Sequence, residues 1–196
     1  MLGRAATEPH VDRDAARAAG VEVLRRRSGG GPVLWDAGLL ALDVVLPRGH
    51  RLAGEDVVAA YRWLGEAVAG ALRALGVPDV AVLSPAEARA DPGRDGPAAA
   101  ACFGGRSPYE VLAGGRKVVG LSQARRRQGA LFQAGILLGL DVAGLAGLLT
   151  PAGPERDAFA ADLAARAGAL PGPDAPSVIA AVEAELAARE GVRVAT

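Results

Sequence analysis

Two adjacent glycines, Gly114 and Gly115, stand between a run of extended-type residues at 109–113 and a second run at 116–125. A two-residue loop in which both positions accept positive φ is the strongest local signal for a β-hairpin, and it forces its flanking strands to pair antiparallel. The turn Gln128-Gly129 then leads into another apolar segment, 130–138, so the middle of the chain is predicted to be an antiparallel meander. That meander holds the only lysine of the chain, Lys117, one step past the glycine turn, and the only cysteine, Cys102, lies upstream of it. Every other basic side chain is arginine or histidine.

The rest of the pattern mixes helices with short strands. Residues 11–19 read as a short helix with Asp12 and Asp14 at its start and Gly20 as its stop. Strands are expected at 21–26, 32–35, 39–46, 80–83 and 99–103, and a loop at 84–97. Helical spacing of Val57, Val58, Tyr61, Leu64, Val68, Leu72 and Leu75 predicts a long helix over 55–75. Three further helices are expected at 142–149, 155–167 and 177–189. Antiparallel strands with helices grouped around them define an α+β domain. At 196 residues, one compact domain is expected over 1–196.

Composition excludes several functional classes. Formal charge is zero, which argues against a general nucleic-acid surface. The single cysteine excludes an internal disulfide framework and fits a reducing compartment. Neither a signal peptide nor a membrane-spanning run is evident, so a cytoplasmic protein is expected. The histidines, His10 and His50, have neither partners nor spacing for a metal site. No Walker or GxGxxG nucleotide motif is present. Trp35, Trp63 and the other aromatic residues read as core packing.

Two features suggest chemistry. Ser28-Gly29-Gly30-Gly31 follows the arginine triplet 25–27, and such a loop can turn its N–H groups onto an anion while the arginines add charge. The plainer alternative is a flexible turn. Cys102 is either a small buried hydrophobe or a nucleophile activated by a cation, for which Lys117 is the candidate.

Together these stretches resemble the catalytic domain shared by biotin and lipoate protein ligases, in its lipoate-protein ligase and octanoyltransferase branch. RRRSGGGPVLWDAG, residues 25–38, is similar to that branch's RRxSGGG-x-V loop. CFGGRSPYEVLAGGRKVVGLSQARRRQGALFQAGILL, residues 102–138, is similar to its stretch with a Cys-Phe pair, an acidic residue, a Gly-Arg-Lys and a Gln-x-Arg. The resemblance implies the class II aminoacyl-tRNA synthetase-like fold, a mixed, mostly antiparallel sheet flanked by helices. Leu2-Gly3-Arg4 matches the end of a strand in that fold, so its first strand and helix are expected to be missing, and no C-terminal accessory domain is expected.

The resemblance further implies transfer of an octanoyl or lipoyl group to a lysine of lipoyl domains, in 2-oxoacid dehydrogenases or the glycine cleavage H protein. It implies catalytic roles for Cys102 and Lys117, with acyl or adenylate contacts from Arg26, Ser28, Gly29, Gly30, Gly31, Glu110 and Gly120. A compact ammonium contacts a single carbonyl or phosphate oxygen in a way a planar guanidinium does not. Two routes are known in the family: a cysteine thioester loaded from acyl carrier protein, or an acyl-adenylate made with ATP and Mg²⁺. Cys102 favours the first. Trp35, Leu39 and Ala134 stand where polar residues are frequent in the family, which weakens the case for an adenylate site. A non-catalytic member that binds an acyl group or a partner protein is the alternative of another class.

Overall fold

The computed structural model describes residues 11–26, 28–150 and 152–189. The expected strand end at Leu2-Gly3-Arg4, His10 and Arg27 of the arginine triplet lie outside the described residues.

Among the described residues, five strands form one sheet in the order β1-β5-β4-β3-β2, every neighbouring pair antiparallel. They are β1 (Leu39–Pro47), β2 (Val80–Val82), β3 (Val111–Ala113), β4 (Arg116–Arg126) and β5 (Gly129–Leu137). The hairpin read from Gly114-Gly115 is present, with φ of +54° and +75° at the two glycines. Ala113 pairs with Arg116 and Leu112 with Lys117, and a bulge between Val111 and Leu112 then shifts the register.

Among the described residues, six helices surround the sheet: α1 (Arg13–Ala18), α2 (Arg62–Ala74), α3 (Pro85–Arg89), α4 (Val142–Leu149), α5 (Pro154–Arg166) and α6 (Ala175–Ala187). Period-2 alternation divides β4 and β5 between two faces. Val119, Phe132 and Ile136 point toward α2 and α6, where Leu64, Val68, Leu72, Val178 and Val182 are buried with them. Tyr61 and Trp63 meet the Phe132 ring edge-on, at centroid distances of 6.1 and 5.5 Å. Gly120, Ser122, Gln133 and Gly135 point the other way. There a second apolar cluster joins Phe103 and Leu137 to Leu145 of α4 and to Phe159 and Leu163 of α5.

Several expectations are corrected. Residues 21–26, 32–35 and 99–103 belong to none of the five strands. The long helix starts only at Arg62, preceded by 3₁₀ turns at Arg51–Ala53 and Ala59–Tyr61. The expected loop 84–97 contains α3, whose Ser84 and Glu87 form a capping box with Pro85 at the first helical position. Trp35 is 47% exposed rather than a core residue, whereas Trp63 is buried. Among the described residues, no helix is long and apolar enough to cross a membrane.

Candidate functional site

The segment carrying Cys102 is a series of tight turns, not a strand. Ala101 N–H donates to Ala98 O, and Gly104 and Gly105 N–H both donate to Ala101 O. Cys102 N–H donates to Pro32 O at 2.9 Å, which ties this segment to the chain just beyond the triple glycine. Only glycine fits at the two points of closest approach. A methyl at Gly31 would lie 1.9 Å from Ala100 O, and one at Gly104 would lie 1.8 Å from Ala98 O. The triple glycine is therefore required for packing at Gly31, while Gly29 has nothing within 4 Å of its methyl position.

Two buried ion pairs hold the turn from below and from the side. Lys117, 1% exposed, sends its amine under the turn, donating to Cys102 O at 2.7 Å and Gly105 O at 2.8 Å. Its third partner is Glu110 Oε2 at 2.7 Å. An ammonium has three protons, so these acceptors use the amine fully. Glu110 accepts as well from Ser107 N–H at 2.7 Å and Leu121 N–H at 3.2 Å. Burial pushes its carboxyl above the ordinary range, against the opposing pull of Lys117 and the two N–H groups.

Glu110 is reached through Tyr109, which adopts φ +67°, an unusual conformation for a bulky residue. Tyr109 O lies where a methyl at Gly65 of α2 would be 2.1 Å away. From the side, Arg166 at the end of α5 donates through Nε to Gly104 O and pairs with the buried Asp91. One turn earlier on α5, Asp162 accepts from Ala98 N–H at 2.9 Å.

Above the turn opens a narrow slot, partly open to solvent. Val33, Trp35, Leu39 and Phe103 supply its apolar walls, and Arg26, Cys102, Asp43 and Gln133 its polar rim. Gly120 and Gly135 face each other across β4 and β5. Their missing side chains leave bare backbone against the edge of Phe103, since methyls there would lie 3.4 and 3.5 Å from that ring.

Arg26 reaches over the slot. Its Nη1 donates to Ser28 Oγ at 3.0 Å and its Nη2 to Gly31 O at 3.1 Å, with Cys102 Sγ 3.8 Å from the same Nη2. The sequence reading expected Lys117 beside the sulfur. The structure places Arg26 there, and Lys117 on the cysteine's carbonyl. Arg26, Cys102 and Gly120 thus line one slot, Ser28, Gly30 and Gly31 lie against the Arg26 guanidinium, and Glu110 with Lys117 holds the Cys102 turn. Arg166, Asp91 and Asp162 went unread, because nothing local links them to a cysteine in a distant segment.

The model of the family "Lipoyl protein ligase A/B catalytic domain" matches residues 1–178. An octanoyltransferase LipM from an Exiguobacterium species is 37% identical over 125 residues, covering 64% of this chain and 44% of the relative. The octanoyltransferase LipM of Symbiobacterium thermophilum is 40% identical over 135 residues, covering 67% of this chain and 46% of the relative. The chain spans about half the length of the curated relatives it matches. Among solved structures, a chain from the study of a bipartite lipoate protein ligase and its E2 lipoyl domain from Thermoplasma acidophilum superposes with TM-score 0.72. It is 24% identical, and the match covers 95% of this chain and 65% of that one. That likeness supports the fold: an antiparallel sheet flanked by helices.

Proposed function

The chain belongs to the lipoyl protein ligase A/B catalytic domain family, and from that membership we propose that it transfers an octanoyl or lipoyl group to a lysine of a lipoyl domain through a thioester on Cys102. The observation that carries this reading is the placement of the chain's one cysteine. It lies at the rim of an apolar slot, on a turn whose backbone is held by Pro32, Lys117 and Arg166. A nucleophile on a pinned backbone keeps its attack geometry without reorganisation. The relatives bearing the name octanoyltransferase support the same reading.

In this mechanism the acyl chain lies between Val33, Trp35, Leu39 and Phe103, over the bare backbone of Gly120 and Gly135. Arg26, Ser28 and the Gly29–Gly31 turn hold the reacting carbonyl end. The Cys102 thiolate attacks the carbonyl carbon of a carrier-bound octanoyl thioester. The new Sγ–C bond forms, the carrier's C–S bond breaks, and the carrier thiolate takes up the proton that Cys102 released. The acceptor lysine amine then attacks the Cys102 thioester, the amide C–N bond forms as the Sγ–C bond breaks, and the proton lost by the amine returns to the departing sulfur. Lys117 Nζ holds the Cys102 carbonyl, one peptide away from the reacting sulfur, and so fixes the turn. Glu110 keeps that amine aligned beneath the turn. Lipoyl domains of 2-oxoacid dehydrogenases or the glycine cleavage H protein are the proposed acceptors, acyl carrier protein the donor and the cytoplasm the setting.

The test is intact mass after incubation with octanoyl-carrier protein, and separately with octanoate, ATP, Mg²⁺ and a lipoyl domain. A hydroxylamine-labile octanoyl adduct from the carrier alone, absent in Cys102→Ser, is the expected result. A modified lipoyl domain without any covalent protein adduct would replace this route with ATP-dependent ligation. Silence from folded protein in every arm would overturn catalysis and leave an acyl- or partner-binding module.

A further inference from the structure

Among the described residues, Arg26 and Lys117 lie within reach of Cys102, and their hydrogen bonding divides the work between them. The Lys117 amine has three protons and three protein acceptors, none of them the sulfur. Arg26 is different. Its guanidinium stays charged at any working pH, and among the described residues no carboxylate pairs with it. Asp43, on the same slot, instead accepts from Gln133 Nε2 at 2.8 Å. Two neutral acceptors, Ser28 Oγ and Gly31 O, fix the fork of Arg26, and Nη2 faces Cys102 Sγ at 3.8 Å. Its Nε is buried and has no partner. A buried donor without an acceptor is costly, so this arm is held in a position that its own hydrogen bonds do not fully satisfy.

The loop is shaped around that arm. Gly30 adopts φ +100°, and a methyl there would lie 2.5 Å from Arg26 Nη2. Ser28, whose hydroxyl receives Nη1, is 1% exposed. Any larger side chain at 30 would displace the guanidinium from the sulfur.

From this geometry we infer that Arg26 is a catalytic residue of the chain, the cation that stabilises negative charge on Cys102 Sγ, while Lys117 positions the turn from below. Reactive cysteines occupy partly exposed, electropositive surroundings, and Cys102 is half-buried with this one unneutralised charge at its sulfur. During transfer the same charge faces the sulfur twice, as attacking thiolate and again as leaving group when the acceptor amine displaces it. The inference rests on the proposed nucleophilic role of Cys102, but its test requires no acyl donor, so the two can fail separately.

The experiment is the rate of Cys102 alkylation by iodoacetamide at fixed neutral pH, read by intact mass, which is unambiguous because the chain has one cysteine. Arg26→Gln is expected to slow alkylation about tenfold, and Arg26→Lys, which keeps a charge but loses the fork, to recover much of that loss. Cooperative thermal unfolding of each variant establishes that it is folded. Equal rates for Arg26→Gln and the native protein overturn the inference. So does Arg26→Lys as slow as Arg26→Gln, since the arm would then act through shape alone. A measurement on the native chain covers the case in which Arg26→Gln does not fold. The anionic reagent iodoacetate, relative to iodoacetamide, is expected to react faster with native Cys102 than with the urea-unfolded chain. A native ratio no higher than the unfolded one overturns the inference. If alkylation follows Arg26 but octanoyl-carrier protein never loads the cysteine, the transfer reading fails and the role of Arg26 stands.

Discussion

The Cys102 turn is gripped on two sides by the same device, a buried ion pair that also binds a backbone carbonyl, yet the two sides differ in what surrounds the carboxylate. Beneath the turn, Lys117 is the only neighbouring charge of Glu110 among the described residues, and burial holds its carboxyl above the ordinary range despite that partner. At the side, burial also pushes Asp91 up. There the hydrogen bond from Arg166, the Gly93 N–H and the charges of Arg166 and Arg106 together pull it below the ordinary range. An ion pair is therefore not one energetic unit. The number of donors and charges left around the anion decides whether burial or attraction prevails.

Removing each cation should widen that difference. Lys117→Met leaves Glu110 buried with no other cation beside it, and is expected to cost about 3–5 kcal/mol in urea unfolding. Adding Glu110→Gln should restore part of this loss, which a double-mutant cycle measures. Arg166→Met should fall at the lower end, about 3 kcal/mol, because Gly93 N–H and Arg106 remain near Asp91. Equal losses would remove the distinction between the two sides.

A smaller effect tests how closely the turn packs. Gly31→Ala puts a methyl 1.9 Å from Ala100 O, so the backbone must move, at about 1–3 kcal/mol. A lowered melting temperature, together with slower acylation of Cys102, is the expected outcome.

The finest test is the pH dependence. A carboxyl raised on folding contributes stability that is fully present below its unfolded value and is lost as pH rises through the folded one. The native chain's advantage over Glu110→Gln should therefore shrink as pH rises above the ordinary value of 4.5. Asp91 is lowered, so its contribution is present above its unfolded value and is lost as pH falls through the folded one. The advantage over Asp91→Asn should shrink as pH falls below 3.8. Urea unfolding of both variants across that range reads the two slopes, and slopes of the same sign would contradict the comparison.

How much of this was legible in the sequence follows from how local each signal is. The Gly114-Gly115 turn, the strands on either side of it and the helix that Gly20 stops are set within a few residues, and all were read. Residues 99–103 were expected as a strand because Ala-Ala-Ala-Cys-Phe is an apolar run without a period of its own. Contacts from elsewhere bend it, from Pro32, Lys117 and Arg166. Ser84 and Glu87 did carry a readable capping signal, which the proline and glycine content around them obscured. The slot's residues were legible as a family pattern, but not their arrangement: Arg26 and Cys102 are 76 positions apart, Arg166 and Asp91 75.

The burial of Lys117 has one more consequence if the chain does hand acyl groups to lysine amines. Within these 196 residues it is the only lysine, and it is 1% exposed with its amine fully engaged. The positive charge beside the loaded thioester is Arg26, and a guanidinium, protonated at working pH, is a poor nucleophile. Within these 196 residues the activated cargo therefore meets no exposed lysine amine.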